Sequence, residues 1–444
     1  MKLLHRSLLV FLATVICLSS FSECVVASDW PMFRGNLTHM GATTETIAPP
    51  LKLIWTYKTG DNVVSSPSVS GGIVYVCSDD GYVYALNAST GALIWSHEAG
   101  VYGPSSPAVS DGIVYFGSIN AQIYALNAST GAQIWSYLTD GVIGSSPAVS
   151  GGIVYIGSAD HNVYALNAVT GATVWTYTTG SWVNSSPAVS GGMVYVGSMD
   201  QYLYALNAAT GAMVWKFWTG SYVNSSPAVS GGIVYVGSND QYLYALNAAT
   251  GAMVWSYRTG SYLETSPAVS GGVVYVGSKD GNVYALNAAT GAKIWRYAVN
   301  GLNSFATPSV SGGIVYVGCS DSNLYALEES TSTIGGGTVV WSYKMGYNGV
   351  ESPPALSGGV VYVGSDDHNV YAFATTSPTT TTLSTTTSTS PTTSTSSTTS
   401  GSPGIPEFPA SSYQLGFALL VTVVVVTSYM FARRGARIGK QPPV

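Results

Sequence analysis

The chain has 444 residues, of which 46% are hydrophobic and 8% are charged, and its formal net charge is −6. The hydrophobic fraction excludes a disordered protein, and the low charge indicates a surface made mainly of Gly, Ser, Thr and Tyr. Because the net charge is negative, no nucleic acid is expected as a partner, since a phosphate backbone needs a basic surface. Four cysteines are too few for a disulfide framework in so long a chain.

The first 27 residues have the pattern of a secretory signal peptide. Lys2 and Arg6 precede an apolar run, and small residues resembling a cleavage site end at Ala27. We therefore expect an exported chain whose mature form begins near Ser28. Residues 28–50 then form a lead-in segment before the first predicted strand.

Residues 51–374 consist of one unit repeated eight times. A tryptophan recurs at a spacing of 40 residues, and the last one follows after 46. Each unit holds short apolar runs of β-branched and aromatic residues between Gly-Gly, Ser-x-Asp and Asn-Ala-x-Thr-Gly turns, which predicts four strands. We expect the repeated tryptophans to dock between neighbouring units in the core. They are Trp55, Trp95, Trp135, Trp175, Trp215, Trp255, Trp295 and Trp341.

The ends of the repeat region predict how it closes. Its runs are apolar on both faces, so each sheet must be covered on both sides, as in a ring of stacked blades. The last unit, from Pro353 to Phe373, lacks the tryptophan strand, whereas Leu51 to Tyr57 is such a strand with no unit before it. The sequence therefore predicts an all-β, eight-bladed propeller closed by an N-terminal strand, which leaves no exposed sheet edge.

Three segments follow the propeller. Residues 375–412 form a Ser/Thr/Pro-rich stalk, since 24 of the 28 residues from 375 to 402 are Ser or Thr, and this composition predicts disorder. Residues 413–432 are predicted to form a transmembrane helix, and the basic tail at 433–444 is predicted to be cytoplasmic. The propeller is then expected on the extracellular face of the cell membrane.

Residues 405–409 read Ile-Pro-Glu-Phe-Pro. A Thr-rich stalk, this motif, an apolar helix and a basic tail together resemble the C-terminal sorting signals of the archaeosortase type. That resemblance implies an anchor that is cut and exchanged for a lipid. A plain single-span membrane anchor explains the same residues, and the sequence leaves both alternatives open.

The repeats resemble a known family. Residues 85–91, with Trp95, are similar to the tryptophan-docking motif of the eight-bladed pyrroloquinoline-quinone (PQQ) repeat propellers, and residues 29–35 are similar to their lead-in. The resemblance covers about residues 29–374. It implies either a quinoprotein dehydrogenase or a non-enzymatic propeller, such as the lipoprotein of the outer-membrane β-barrel assembly machinery.

Two features favour the non-enzymatic branch. The dehydrogenases of this family use adjacent cysteines, a calcium-binding set and a catalytic Asp on long loops, whereas this chain has no adjacent cysteines and nearly minimal repeats. Catalysis also needs asymmetry, yet residues 180–215 and 220–255 differ at only three positions. We therefore expect no catalytic residue, no cofactor and no metal.

Several repeated or isolated polar residues have a structural interpretation. The acidic residue of the Ser-x-Asp turn could bind calcium, but a residue needed in every blade is better explained as a cap of its own turn. His161 and His368 are expected to be solvated, and Cys77 and Cys319 to be free buried thiols. The capping residues are Asp80, Asp160, Asp200, Asp240, Asp280, Asp321 and Asp367, with Asn120 in the second blade.

Aromatic residues outside the repeated core predict the ligand site. They occupy the connection into the first strand of a blade, so they are expected at one mouth of the central channel, on the face of the Ser-x-Asp turns. Aromatic and amide groups together suit a sugar or a peptide, although loop packing explains the aromatics equally well. The predicted site is Trp182, Tyr222 and Tyr262 with Asn184, Asn224 and Glu264, and related aromatics are Tyr102 and Tyr347.

The sequence as a whole predicts a cell-surface scaffold that binds an envelope protein or a glycan. The alternatives are a PQQ-dependent envelope oxidoreductase and a structural surface-layer component. Glycosylation is also predicted, because five Asn-x-Ser/Thr sequons are present in this exported chain. They begin at Asn36, Asn87, Asn127, Asn184 and Asn224.

Overall fold

The computed structural model describes residues 29–101, 105–298, 306–328 and 337–375. The predicted signal peptide, the stalk beyond Thr375, the sorting motif, the membrane helix and the basic tail lie outside these residues. Within the described ranges, no helix is both long and apolar enough to cross a bilayer.

The repeats fold into four-stranded antiparallel sheets, one for each blade, and blade 7 gains a fifth strand that pairs in parallel. Blade 1 contains β3 (Ser68–Ser70), β4 (Ile73–Cys77), β5 (Gly81–Asn87) and β6 (Leu93–Val101). Blade 2 contains β7 (Ala108–Ser110), β8 (Ile113–Gly117), β9 (Gln122–Asn127) and β10 (Gln133–Leu138). Blade 3 contains β11 (Ala148–Ser150), β12 (Ile153–Gly157), β13 (Asn162–Asn167) and β14 (Thr173–Thr178). Blade 4 contains β15 (Ala188–Ser190), β16 (Met193–Gly197), β17 (Tyr202–Asn207) and β18 (Met213–Trp218).

The second half of the ring repeats this pattern. Blade 5 contains β19 (Ala228–Ser230), β20 (Ile233–Gly237), β21 (Tyr242–Asn247) and β22 (Met253–Arg258). Blade 6 contains β23 (Ala268–Ser270), β24 (Val273–Gly277), β25 (Asn282–Asn287) and β26 (Lys293–Ala298). Blade 7 contains β1 (Ala42–Thr43), β27 (Ser309–Ser311), β28 (Ile314–Gly318), β29 (Asn323–Glu328) and β30 (Thr338–Lys344). Blade 8 contains β2 (Lys52–Lys58), β31 (Ala355–Ser357), β32 (Val360–Gly364) and β33 (Asn369–Ala374).

The ring closes as the sequence predicts. The first strands of successive blades contact one another around a full circle, from β3 through β31 and back to β3. The N-terminal strand β2 pairs antiparallel with β33 and supplies the outermost strand of blade 8. Both the eight-bladed propeller and its closure by an N-terminal strand are therefore confirmed.

The turns take the predicted conformations. Gly191 and Gly192 have φ values of 58° and 75°, which close the hairpin between the first two strands of blade 4. Asn207 Oδ1 accepts hydrogen bonds from the backbone N of Ala209 and of Thr210, both at 3.0 Å. The Asn side chain thus shapes its own turn, as predicted.

Each tryptophan docks a blade onto the next one. The indole of Trp175 is 8% exposed, and its Nε1 donates to the carbonyl oxygen of Ala208 at 2.9 Å. It lies on Gly211 so closely that a Cβ there would stand 2.7 Å from the ring. Trp341 differs, because β33 ends without a Thr-Gly turn, and its half-buried ring packs on Phe373 at a centroid distance of 5.5 Å.

The lead-in segment lies against the first strands of the blades, a role that the sequence did not predict. Carbonyl oxygens of this segment accept hydrogen bonds from backbone N–H groups in blades 1, 2, 4, 5, 6 and 7. The lead-in segment therefore connects the blades near the central axis, while β2 closes blade 8 at the outer edge of the ring. The donor and acceptor pairs are Val69 and Trp30, Val109 and Pro31, Val189 and Leu37, Val229 and Thr38, Val269 and Met40, and Val310 and Gly41.

Arg34 fixes this segment from within. Its side chain is 2% exposed, and burial lowers its pKa to about 9. The guanidinium donates to the carbonyl oxygens of His39 at 3.3 Å, of Pro308 at 2.7 Å and of Pro267. Backbone carbonyls of the lead-in and of two blades thus satisfy a buried cation, which ties the segment to the ring.

Candidate functional site

One face of the propeller carries both kinds of loop that the sequence placed together. In blade 4 the backbone N of Met199, in the Ser-x-Asp turn, donates to Trp182 O at 2.9 Å, in the connection into the blade. Asn239 and Tyr222 make the same bond at 2.9 Å in blade 5. The predicted grouping of these loops is confirmed, and we call this side of the ring the mouth face.

The Asp of each turn is a structural cap. Asp200 Oδ1 accepts the backbone N–H of Tyr202 at 3.1 Å, and its Oδ2 accepts the Tyr204 hydroxyl and the Gly180 N–H, both at 2.6 Å. The carboxylate therefore ties the turn to the third strand and to the connection, as the capping interpretation predicted. In blade 2, Asn120 takes this place.

A cavity of about 410 Å³ opens at the centre of the mouth face. Phe33 of the lead-in segment is among its lining residues, and a ring of serine side chains surrounds it. From blade 2 to blade 7, the hydroxyl at this position accepts a backbone N–H from the preceding blade, as Ser226 Oγ does from Ser186 at 2.9 Å. This row of hydrogen bonds runs from blade 1 to blade 7 and gives that part of the cavity a fixed polar wall. Blade 8 has Pro353 at this position, and Ser66 Oγ donates to Pro353 O at 3.0 Å. The ring consists of Ser66, Ser106, Ser146, Ser186, Ser226, Ser266 and Thr307.

The six predicted site residues divide into two sets. Asn184, Asn224 and Glu264 line the cavity. Trp182, Tyr222 and Tyr262 do not line it, and they are 49%, 46% and 51% exposed. Within the part of the chain that the structure describes, no ring contact joins these three aromatics to one another. Whether the two sets form one ligand site stays a prediction.

The two related aromatics, Tyr102 and Tyr347, do not test the predicted ligand site. Tyr347 is 62% exposed in the connection into blade 8. Tyr102 lies outside the described residues, so the predicted aromatic set is only partly described.

The cavity wall is electrostatically uneven. In blade 6, Lys279 Nζ lies 3.3 Å from Glu264 Oε2. In blade 8 the equivalent positions hold Glu351 and Asp366, two acids. Burial, together with the charges of Glu351, Asp79 and Asp367, raises the pKa of Asp366 to about 7.

Sequence reasoning missed this acidic sector. Asp366 occupies the variable position of the Ser-x-Asp turn, and Glu351 occupies the position of Glu264 in the connection into the blade. Both were visible in the repeats, because the repeat puts the variable residue of the turn beside that connection. The signal lies in comparing pairs of positions across blades, whereas the prediction rests on the connection alone, that is, on the aromatics and on the residues two places after them.

The isolated candidates behave as structural residues. Cys77 and Cys319 are free and buried, as predicted, and burial raises the pKa of both thiols, that of Cys319 to about 11. Such thiols are poor nucleophiles at neutral pH. His368 Nε2 lies 3.8 Å from Asp61 Oδ1 on the surface. Among the described residues, no three His, Cys, Asp or Glu side chains are grouped so that they could hold a metal ion.

Comparison with known proteins agrees with this architecture. Residues 48–141, 120–221 and 200–335 match the family described as outer membrane protein assembly factor BamB. The crystal structure of BamB from Moraxella catarrhalis is 20% identical, over 73% of this chain and 99% of that chain, with a TM-score of 0.64. None of the curated proteins matches the chain in sequence.

Two other solved structures show how widely this fold is used. The computationally designed Ika8 protein is 20% identical over 71% of this chain and 97% of that chain, with a TM-score of 0.63. A quinohemoprotein alcohol dehydrogenase from Comamonas testosteroni is 15% identical over 78% of this chain and 80% of that chain, with a TM-score of 0.66. At these identities the likeness shows the fold and nothing about activity.

Proposed function

Because this chain belongs to the family of outer membrane protein assembly factor BamB, we propose that it is a non-catalytic scaffold which binds an envelope protein on its mouth face. The observation that carries the proposal is the repeated exposure of Trp182, Tyr222 and Tyr262, each about half exposed on that face. Large aromatic side chains in this state lose apolar exposed area when a partner binds, and such residues dominate many interfaces.

The cavity beside these aromatics supplies polar contacts. Asn184, Asn224 and Glu264 line it, and Asn224 Oδ1 is buried without a hydrogen-bond partner among the described residues. A partner group that donates to this oxygen would remove an unfavourable buried acceptor. A peptide offers such donors along its backbone, and a glycan offers them through its hydroxyl groups, so a glycan is the second candidate.

The cavity does not fit PQQ, the cofactor after which the repeat is named. PQQ carries three carboxylates, so its site needs unpaired cations. Here the lining includes Glu264 and Glu351, and its one cation among the described residues, Lys279, already pairs with Glu264. Like charges would oppose binding of the cofactor, which supports a role without catalysis.

The place of action is part of the proposal. The N-terminal apolar segment and the C-terminal apolar segment with its basic tail support export and anchoring at the extracellular face of the membrane. Sequons at Asn36, Asn87 and Asn127 support a glycoprotein.

Site-specific photocrosslinking in intact cells tests the proposed interface. A photoreactive amino acid at position 222, on the mouth face, is expected to crosslink to an envelope protein, whereas the same group at position 214, on outer strand β18, is not. The variant Trp182→Ser, Tyr222→Ser, Tyr262→Ser should lose the partner. Its matched control replaces Val174, Val214 and Val254, which are 46%, 50% and 49% exposed on outer strands, with Ser.

The outcomes separate the two candidate partners. A crosslinked product that protease digests supports a protein partner, and one that only glycosidase alters supports the glycan. Equal partner loss in both triple variants, or crosslinking at position 214 alone, would refute the mouth face as the interface.

A further inference from the structure

Two positions of the repeat meet at the mouth of the cavity. One position lies in the connection into a blade, four residues before the first strand. The other is the variable residue of the Ser-x-Asp turn, two residues after the second strand. In blade 6 these are Glu264 and Lys279, whose carboxylate and ammonium are 3.3 Å apart. The carboxylate also accepts a hydrogen bond from Asn239 Nδ2 of blade 5 at 3.4 Å. Blade 6 thus holds an ammonium group next to the cavity.

In blade 8 the same two positions are Glu351 and Asp366. Glu351 lines the cavity, and the backbone N of Asp366 donates to Gly349 O at 3.3 Å, two residues before Glu351. The blade therefore keeps the acid of the pair and replaces the lysine with a second acid. Its backbone arrangement is otherwise that of the other blades.

The carboxylate of Asp366 is buried, and one of its oxygens has no hydrogen-bond partner among the described residues. Its side chain is 7% exposed, and its Oδ1 is buried without a hydrogen-bond partner among the described residues. Glu351 faces it from the connection, Asp79 from the turn of blade 1 and Asp367 from its own turn, and with burial they raise its pKa to about 7. A buried carboxylate among other carboxylates is unfavourable unless a cation joins it.

The sequence between the described ranges contains no such cation. Residues 102–104, 299–305 and 329–336 contain neither Lys nor Arg. Lys279 pairs with Glu264, and His368 pairs with Asp61.

We propose that blade 8 binds a primary ammonium group, which takes beside Glu351 and Asp366 the place that Lys279 takes beside Glu264. An ammonium donates three hydrogen bonds, and Asp366 Oδ1 is an acceptor without a partner among the described residues. A metal ion fits less well, because no three acidic or other ligating side chains in the described ranges are grouped to hold one. This site is independent of the aromatic interface proposed above.

Ligand-observed NMR with the full-length protein tests the site. The probe is n-butylammonium, and its neutral control is 1-butanol. We expect a saturable signal from the ammonium alone, which weakens as NaCl is added and strengthens from pH 6 to pH 8 as Asp366 loses its proton. Nα-acetyl-lysine amide binding more tightly than n-butylammonium would identify a lysine side chain as the source of the group, and equal binding would identify a free amine.

Exchanging the residues between blades makes the test specific. Asp366→Lys copies blade 6 into blade 8 and should lower the affinity for n-butylammonium about tenfold or more. Asp366→Asn, which is isosteric, should have the same effect and serves if the lysine variant does not fold, as judged by its melting curve. Lys279→Asp copies blade 8 into blade 6 and should add a second site. Binding of 1-butanol equal to that of the ammonium, unchanged affinity in both Asp366 variants, or displacement of the amine by one equivalent of Ca²⁺ would overturn the proposal.

Discussion

Replacing a docking tryptophan measures how strongly neighbouring blades hold together. Trp175 is 8% exposed, its Nε1 donates to Ala208 O at 2.9 Å, and its ring lies 5.8 Å from that of Tyr155. Trp175→Ala removes this buried ring and its hydrogen bond and leaves a cavity between blades 3 and 4. A large-to-small change of this kind costs about 3 to 5 kcal/mol in free energy of unfolding.

The size of this effect follows from the contacts. Burying a tryptophan removes roughly 150 to 250 Å² from water, which at about 25 cal/mol per Å² gives about 4 to 6 kcal/mol. The unfolded chain already buries part of that area, so the lower end of the range is expected. Loss of the bond to Ala208 O adds about 1 kcal/mol.

Urea unfolding of the purified protein, followed by circular dichroism, provides the assay. The matched control is Trp218→Ala on β18, because Trp218 is 59% exposed and its loss should change stability by less than about 0.5 kcal/mol. The midpoint for Trp175→Ala should fall well below that of this control. A cost under about 1 kcal/mol for Trp175→Ala would refute the docking account, since a buried indole cannot be removed so cheaply.

Three further outcomes follow from the same contacts. Deleting residues 51–60 removes β2 and should expose β33 as a sheet edge, so that the protein aggregates or loses cooperative unfolding, and an unchanged melting curve would contradict closure by this strand. Because the folded pKa of Asp366, about 7, lies above its unfolded value, the contribution of Asp366 to wild-type stability should fall as pH rises from 4 to 7. In amine-free buffer Asp366→Asn should then be more stable than wild type by about 1 to 3 kcal/mol at pH 8 and nearly equal to it at pH 4. Equal stability at pH 8 would contradict the inference that the buried Asp366 carboxylate destabilises the fold. With PQQ and calcium added, the protein should take up no cofactor and oxidise no alcohol, and turnover that requires PQQ would contradict the scaffold proposal.

The strands, the turns and the closure could be predicted because they depend on local patterns that the chain repeats. Gly192 and Asn207 shape turns through their own backbone and side chain, so neighbouring residues alone determine them. The closing strand could also be predicted, because the last repeat lacks its tryptophan-containing strand after Phe373 and such a strand, with Leu53 and Trp55, precedes the first repeat. Each of these features leaves a mark at a fixed spacing in the sequence.

The lead-in segment could not be predicted in the same way. It has no period, since six of its backbone carbonyls bond to six different blades, and a charged residue such as Arg34 normally indicates an exposed position. Its burial depends on carbonyl oxygens of Pro267 and Pro308, which lie more than 200 positions away in the chain. The size of the cavity above Phe33 depends on the same long-range packing. The sequence therefore predicts the mouth of the channel but not the cavity.

Near-identical repeats help to separate structural from functional variation, because the rest of the ring serves as an internal control. Asn120 replaces the Asp of the other turns, yet blade 2 compensates, since its Nδ2 donates to the hydroxyl of Tyr124 at 2.8 Å where the other blades use the tyrosine as donor. The change in blade 8 has no such compensation. Asp366 replaces a residue that in blade 6 neutralises an acid, and its Oδ1 remains without a partner in the described chain. A substitution whose hydrogen bonds and charge are satisfied within the blade needs no ligand. A buried charge left without a partner next to a cavity is satisfied only by a group from outside the chain.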